Sequence, residues 1–595
     1  MILDDEATLQ RYRTSGWWGD VTVDDLFRAC VEAAPEQLAL VDAPDRPAFC
    51  YGAPRRLSFA ETDTCVDALA AALLAAGVRK DSVVVVQLPN ITEIVIAFLA
   101  CARLGAIASP VMLAYGERDM RRILRHLRPA CVLALASYKD QRPADSARRI
   151  LAEAGSPATA VIAFGEGEGE DVGEGEDAHE GAGEVADVRD LDGDTGALRD
   201  YLDGLTVDAN EIVTMHWTSG TTGNPKCVPR SHNQWHATGG CCRDAGGLHH
   251  GDRLLAPMQM VHTAGYNGLF MPWLEVQGTL ALHNPFDMGI FLDQLEELGI
   301  HHTVAAPAML NALLRENILD HRDVSSIRSI LCGSAPLDAW MIEGFRERYG
   351  IEVVNAFGST EGITLLSGPT MTGDPHRRAR YFPRFRGSAH KRSDGTDWGI
   401  RIARGVESKL VDVETGREIT EPGQPGEFLF RSPALFPGYW TAEGTVDRDD
   451  FDEEGYFRTG ELFEIAGDGE DADYFHYIDR LKDVINRGGL KIPAGELESA
   501  IQALPEVQEA AAVGYPDERL GERICAVVVT VPGTSLSFES LIEQLSAAGV
   551  ARFMWPERLE LVEALPRNPT GKVLKGELVR LLLAANGEAT RTGVG

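Results

Sequence analysis

The chain of 595 residues carries 90 acidic and 56 basic side chains, and the resulting net charge of −34 argues against a general binder of nucleic acid or of anionic membrane surfaces. Its 44% hydrophobic and 25% charged residues describe a globular protein, and its length implies several cores, since one core rarely exceeds about 250 to 300 residues. No apolar run reaches the roughly eighteen residues of a membrane span, because the longest candidate, Val83 to Val111, is interrupted by Asn90, Glu93, Arg103 and two prolines.

The amino terminus, Met1-Ile2-Leu3-Asp4-Asp5-Glu6, is acidic where an export signal is basic and then apolar, so a cytoplasmic location is expected. The periodicity predicts a helix over Val23 to Ala34 and a strand at Leu38 to Val41. Ser58 and Glu61 then cap an alanine-rich helix to Ala76, followed by a buried strand at Val83 to Leu88. A helix over Ile94 to Leu104 stops at Gly105, and Ile107 to Val111 reads as another strand. Repetition of strand and helix in this order predicts doubly wound α/β layers.

Residues 165 to 196, rich in Gly-Glu repeats, cannot bury enough apolar surface to pack and are expected to form a solvated insert. The apolar run Ile212 to Trp217 then leads into Thr218-Ser219-Gly220-Thr221-Thr222-Gly223-Asn224-Pro225-Lys226. Small residues let backbone N–H groups approach a ligand, the hydroxyls add donors and Lys226 adds charge, a combination suited to polyphosphate. It is not a Walker A loop, which requires Gly-Lys-[Ser/Thr]. Farther on, Val353 to Gly362 ends a strand in a loop that sets Thr360 beside Glu361, at the kind of strand end where open α/β sheets bind ligands. Short segments and Pro-Gly turns between about Gly387 and Tyr477 predict a β-rich subdomain. After the charged stretch Asp479 to Asp483, about 115 residues remain, enough for a separate α+β domain.

Ten cysteines without paired spacing read as free thiols of a reducing compartment. Only nine of the 56 basic residues are lysine, a bias that either a high-salt cytoplasm or a GC-rich genome would produce.

Five stretches in order, Thr218 to Lys226, Asn355 to Glu361, Tyr456 to Glu461, Asp479 to Gly489 and Pro566 to Lys572, resemble the AMP-forming adenylating superfamily of acyl-CoA synthetases, stand-alone adenylation enzymes and luciferases. The resemblance implies a large amino-terminal domain, residues 1 to 479, and a smaller mobile domain, 480 to 595, hinged at Lys482. It implies ATP, Mg2+ and CoA as cofactors and a small carboxylic acid as substrate. A carboxylate oxygen would displace pyrophosphate from the α-phosphate, and a thiol would then attack the acyl adenylate. No base is needed for the first step, because a carboxylate is already ionised.

By the same resemblance, Thr218, Ser219, Gly220, Thr221, Thr222, Gly223 and Lys226 clamp the β- and γ-phosphates. Glu361 is the Mg2+ carboxylate and Thr360 touches the α-phosphate. Phe357 lies along the adenine with Gly333, Ser334 and Ala335 opposite, and Asn355 and Gly358 complete that strand end. Glu461 stands where the family has a ribose-binding aspartate, one methylene shorter, and Arg480 contacts ribose or phosphate. Lys572 bridges carboxylate and α-phosphate; rotation about Lys482 would withdraw it and bring Gly488 and Gly489 toward the acyl adenylate. His262, Thr263, Gly265 and Tyr266 line the acyl pocket. Thr263 replaces the asparagine of aryl-acid enzymes, and Gly265 and Gly268 are expected to leave space for an apolar or alicyclic acid. About twenty residues follow Lys572, too few for a carrier domain. CoA is therefore the expected acceptor, a separate carrier protein the alternative, and a silent nucleotide-binding homologue a third reading.

Overall fold

A computed structural model describes residues 1–156, 159–165, 184–185, 187–188, 191, 193–218, 225–387, 391–567 and 572–591. The expected acidic insert at 165–196 lies largely outside the described residues. The chain forms two compact units, the first containing Met1–Thr218, Lys226–Glu407 and Arg431–Asp449, the second Ser408–Phe430 and Asp450–Gly595. The β-rich stretch is therefore divided, with most of its strands in the second unit.

The first unit is built on two large sheets. One takes the order Thr364–Ser367, Glu352–Gly358, Ser329–Gly333, His302–Ala305, Arg253–Ala256, Thr279–Leu282, Leu38–Val41, Arg56–Ser58, parallel throughout except at its two edge pairs. The other runs parallel from Ile212–Trp217 through Ile107–Pro110, Val83–Gln87, Cys131–Leu135 and Ala160–Phe164 to Glu184–Val185. On its far side Cys227–Ser231, Tyr439–Trp440 and Val446–Asp447 add antiparallel strands. The helices between strands cover both faces, as parallel sheets require.

Local chemistry explains the element boundaries. Helices Val23–Ala33, Phe59–Ala75 and His232–Gly246 each begin with a reciprocal capping box, Thr22 with Asp25, Ser58 with Glu61 and Ser231 with Gln234. Helix Thr92–Arg103 is buried on every side, which matches its almost uniformly apolar sequence. All ten cysteines are free, nine of them buried.

In the second unit, Tyr474–Arg480, Phe457–Ile465 and Gly426–Arg431 pair in that order, antiparallel. A second sheet joins Leu490–Ile492, Ile485–Arg487, Gly521–Thr530 and Val507–Asp517, with Arg558–Leu561 parallel to Gly521–Thr530. Its core includes Ile485, Leu497, Ile501, Ile524, Val528 and Leu541. Among the described residues, no helix is long and apolar enough to cross a membrane.

Candidate active site

In the first unit, Thr218 and Lys226 are joined by one backbone–backbone bond and one bond to the Thr218 hydroxyl. Thr218 N–H donates to the Lys226 carbonyl at 2.9 Å, and Lys226 N–H donates to Thr218 Oγ1 at 3.1 Å. The bonds pin the base of the anion loop; Ser219, Gly220, Thr221, Thr222 and Gly223 lie outside the described residues. The Lys226 side chain is exposed, and its amine stands 4.0 Å from the centre of the Tyr439 ring, a cation–π distance.

Tyr439 also faces the other way: its hydroxyl donates to Glu361 Oε1 at 2.8 Å. The Glu361 carbonyl accepts from Phe436 N–H at 2.8 Å. Gly362 follows at φ +111°, and a Cβ there would lie 2.0 Å from the Ala434 carbonyl oxygen, so only glycine admits this close approach. The segment through Tyr439 therefore fixes the carboxylate, while pairing of Trp440 with Cys227 sets the register of Lys226.

Thr360 is held from two sides. Its hydroxyl accepts from Thr263 Oγ1 at 3.1 Å, and its carbonyl accepts from Arg230 Nη1 at 3.0 Å. Arg230 is fully buried; burial pulls its pKa down to about 9, with Glu361 and Asp4 opposing the shift. Sequence reasoning missed both Arg230 and Tyr439. Each acts across more than 70 residues of chain, and no local pattern encodes such contacts.

The other expected residues of this unit serve several tasks. Asn355 is buried and donates to the Arg378 and Ala379 carbonyls at 2.9 and 3.1 Å, a structural cross-link. Phe357 is half-buried against Phe382. A Cβ on Gly333 would lie 2.2 Å from the Ala356 carbonyl oxygen, and Ser334 beyond it is exposed at φ +74°, a strained conformation for a non-glycine residue. Ala335 is exposed beside it, and Gly358 is exposed at its strand end.

His262 is exposed, and its Nδ1 accepts from Ala264 N–H at 3.3 Å, capping the short helical turn that begins at Thr263. Tyr266 opens a π-helical turn and is buried against Phe98, His216, Trp235 and Phe270. The expectation that Gly265 leaves room for substrate is corrected: a Cβ there would lie 2.5 Å from the Gln259 carbonyl oxygen, so the glycine serves backbone packing. Gly268 likewise faces Leu331 and Val304.

In the second unit, Glu461 and Arg480 are cross-strand partners. Arg480 Nε approaches Glu461 Oε1 at 3.3 Å, and the Tyr477 hydroxyl donates to Glu461 Oε2 at 3.1 Å. Burial raises the Glu461 pKa, while Arg480 and Lys572 oppose the rise. Gly460, at φ +66°, turns the strand just before Glu461.

Lys572 is exposed as a residue, yet its amine loses enough solvent, beside Arg480 and Lys482, to pull its pKa down to about 8; Glu461 and Asp483 partly offset this. Lys482 is also lowered, chiefly by burial. Glu461, Arg480, Lys482 and Lys572 thus form one charged group. Gly488 and Gly489, at φ +61° and +87°, make the two-residue turn between Ile485–Arg487 and Leu490–Ile492, where positive φ at both positions calls for glycine.

The AMP-binding enzyme family model matches residues 37–440, and the model of the AMP-binding enzyme C-terminal domain matches residues 496–572. The chain belongs to this family, the AMP-forming adenylating superfamily, whose reaction is AMP-forming activation of an acid. It is 28% identical to the medium-chain fatty-acid–CoA ligase of Escherichia coli, over 95% of this chain and 91% of that one. It is 29% identical to the salicyl-AMP ligase / salicyl-S-ArCP synthetase of Mycobacterium tuberculosis, over 97% and 94%. Among solved structures, ATP-bound MatB from Rhodopseudomonas palustris superposes with a TM-score of 0.73 at 25% identity, covering 94% of this chain and 99% of that one.

Proposed function

We propose that the protein is an acyl-CoA ligase that couples ATP cleavage to thioester formation on an apolar, alicyclic or aromatic carboxylic acid. The observation that carries this reading is the linked set Lys226, Tyr439, Glu361 and Thr360, which gathers a cation, a carboxylate and a hydroxyl at one strand end. In the first half-reaction an oxygen of the acid forms a bond to the α-phosphorus, the bond from that phosphorus to the bridging oxygen breaks, and pyrophosphate leaves with the electron pair. In the second, a thiol sulfur attacks the acyl carbon, AMP leaves, and the thiol proton passes to solvent.

The side chains divide this work by charge. Lys226, with Thr218, Ser219, Gly220, Thr221, Thr222 and Gly223, would receive the outer phosphates, and Thr360 would donate to the α-phosphate. Phe357, Ser334 and Ala335 would flank the base; Glu461 and Arg480 would take the ribose hydroxyls. Glu461 keeps lone pairs for that role, since each oxygen has a single protein partner among the described residues. Lys572 would bridge the acid and the α-phosphate, where a flexible ammonium adapts better than a planar guanidinium. The domain beginning at residue 480 would turn about Lys482 between half-reactions, with Gly488 and Gly489 exchanged for Lys572.

The donor set suits Mg2+. Among the described residues no group of three His, Cys, Asp or Glu forms a metal cage, and Mg2+ typically uses one or two carboxylates and completes its shell with phosphate oxygens and water. Glu361 would hold it, having one oxygen engaged by Tyr439. When bound, the ion would neutralise phosphate charge. The deep wall of the acid site would be aromatic, from Tyr266 and the rings around it.

One feature supports CoA as acceptor, the fatty-acid–CoA ligase among the relatives. The relative named salicyl-S-ArCP synthetase favours the alternative of a separate carrier protein. The two separate when enzyme, ATP and acid are mixed with CoA or with a phosphopantetheinylated carrier. Faster AMP release with CoA supports the ligase; acceleration by carrier alone replaces it.

A further inference from the structure

Arg230 is an unusual residue to find inside a protein. It is 0% exposed, and moving a charge into the interior costs several kcal/mol unless the charge is well paired. Among the described residues its bonds are to neutral acceptors: the Thr360 carbonyl at 3.0 Å, the Gln234 carbonyl at 3.2 Å and Thr238 Oγ1 at 2.8 Å. Its Nε has no hydrogen-bond partner among the described residues. Glu361 and Asp4 act on it through space.

The surroundings hold this cation in one position. Its guanidinium lies 4.2 Å from the centre of the Trp235 ring, and Trp235 Nε1 donates to Thr214 Oγ1 at 2.9 Å. Thr238 and Gln234 belong to the helix that Ser231 caps, so the residue after Arg230 anchors the helix that braces it. Among the described residues, Nη1 is the donor bonded outside this helix, to Thr360.

A purely structural brace could be neutral, since an amide also donates to a carbonyl. An unpaired positive charge behind the Thr360–Glu361 turn has a further use when that turn receives an anionic triphosphate and an anionic acid. Resting on the reading of Thr360 and Glu361 given above, we infer that Arg230 is a positioning residue for adenylation, fixing the Thr360 carbonyl and lending buried positive charge to the turn.

The test compares Arg230→Gln, which keeps a donor and loses the charge, with Arg230→Lys, which keeps the charge. The readouts are acid-dependent exchange of pyrophosphate into ATP and thermal melting. Arg230→Gln should lower kcat about 100-fold, as loss of a preorganised electrostatic group does, with the KM for ATP moving less than about threefold. Arg230→Lys should stay within about tenfold of wild type. Equal losses in two folded variants, or an unchanged Arg230→Gln, would overturn the inference. If Arg230→Gln does not fold, Arg230→Met carries the same expectation, because apolar replacement of a buried charge is often tolerated. If neither folds, Thr238→Val, which frees one Nη2 bond and keeps the charge, should lower kcat about threefold to tenfold; an unchanged kcat would overturn the proposal. Wild-type exchange separates the two levels: without it for any acid the adenylation reading fails, and with it only the role of Arg230 is at stake.

Discussion

Glu361 and Lys572 are both charged residues in turns, and the protein holds them in opposite ways. Glu361 is tied by its carbonyl to Phe436, by its carboxylate to Tyr439, and by the glycine after it to a backbone approach that no other residue allows. Lys572 is exposed as a residue, but burial of its amine, with the like charges Arg480 and Lys482 beside it, weakens its charge against the pull of Glu461 and Asp483. A group that must meet its ligand in one geometry is fixed by backbone and hydrogen bonds. A group that must arrive and leave would sit where its charged form is already weakened, as burial and neighbouring cations weaken that of Lys572.

The sharpest way to break this contrast is Lys572→Ala. Acid-dependent pyrophosphate exchange should fall about 1,000-fold while the protein still folds, with a melting temperature within about 3 °C of wild type, since burial and two neighbouring cations already oppose the charge that is removed. Retained exchange would remove Lys572 from the first half-reaction. Glu361→Gln comes next: kcat should drop about 100-fold and the Mg2+ concentration for half-maximal rate should rise, whereas an unchanged Mg2+ dependence would detach the carboxylate from the metal.

The pH profile probes the partner whose charge is weakened. Lys572 titrates near 8 because burial and neighbouring cations disfavour its charged form. If the ammonium is the active form, kcat/KM for ATP should be level below about pH 8 and fall up to about tenfold per unit above it. A Lys572→Arg enzyme should lose that alkaline limb, and a limb that persists there would belong to another group. The smallest expected effect is that of Tyr439→Phe. Loss of the hydroxyl that aligns Glu361 should cost about fivefold to tenfold in kcat, with the ring beneath Lys226 retained. A further fall in Tyr439→Leu would assign a separate share to the ring, read as a higher KM for ATP.

Much of the frame was legible in the sequence. Ser58 with Glu61 marks the start of Phe59–Ala75, and the strand Val83–Gln87 and the helix after it lie where their patterns predict. These signals are local, and each is complete within one element. The candidate groups rest on another kind of signal: Thr360, Glu361, Glu461, Arg480 and Lys572 sit in motifs whose residue types suggest their chemistry.

What escaped depends on distant partners. Arg230 sits in a strand whose local pattern gives no sign that its guanidinium reaches Thr360, and Tyr439 is an ordinary strand tyrosine until Lys226 and Glu361 are placed on either side of it. Gly265 was misread because a glycine that makes room for a ligand and one that makes room for a neighbouring backbone are identical in sequence. Division of the β-rich stretch between the two units follows from strand pairing between Gly426–Arg431 and Phe457–Ile465, which turn residues alone do not specify.

The central claim is that this chain activates a carboxylic acid by adenylation, and the most direct measurement is exchange of labelled pyrophosphate into ATP by the wild-type enzyme across carboxylates graded in length and ring content. The account predicts exchange that requires both an acid and Mg2+, strongest for apolar or aromatic acids, and AMP as the nucleotide product once CoA is added. ATP binding without exchange for any acid, or release of ADP in place of AMP, would contradict it.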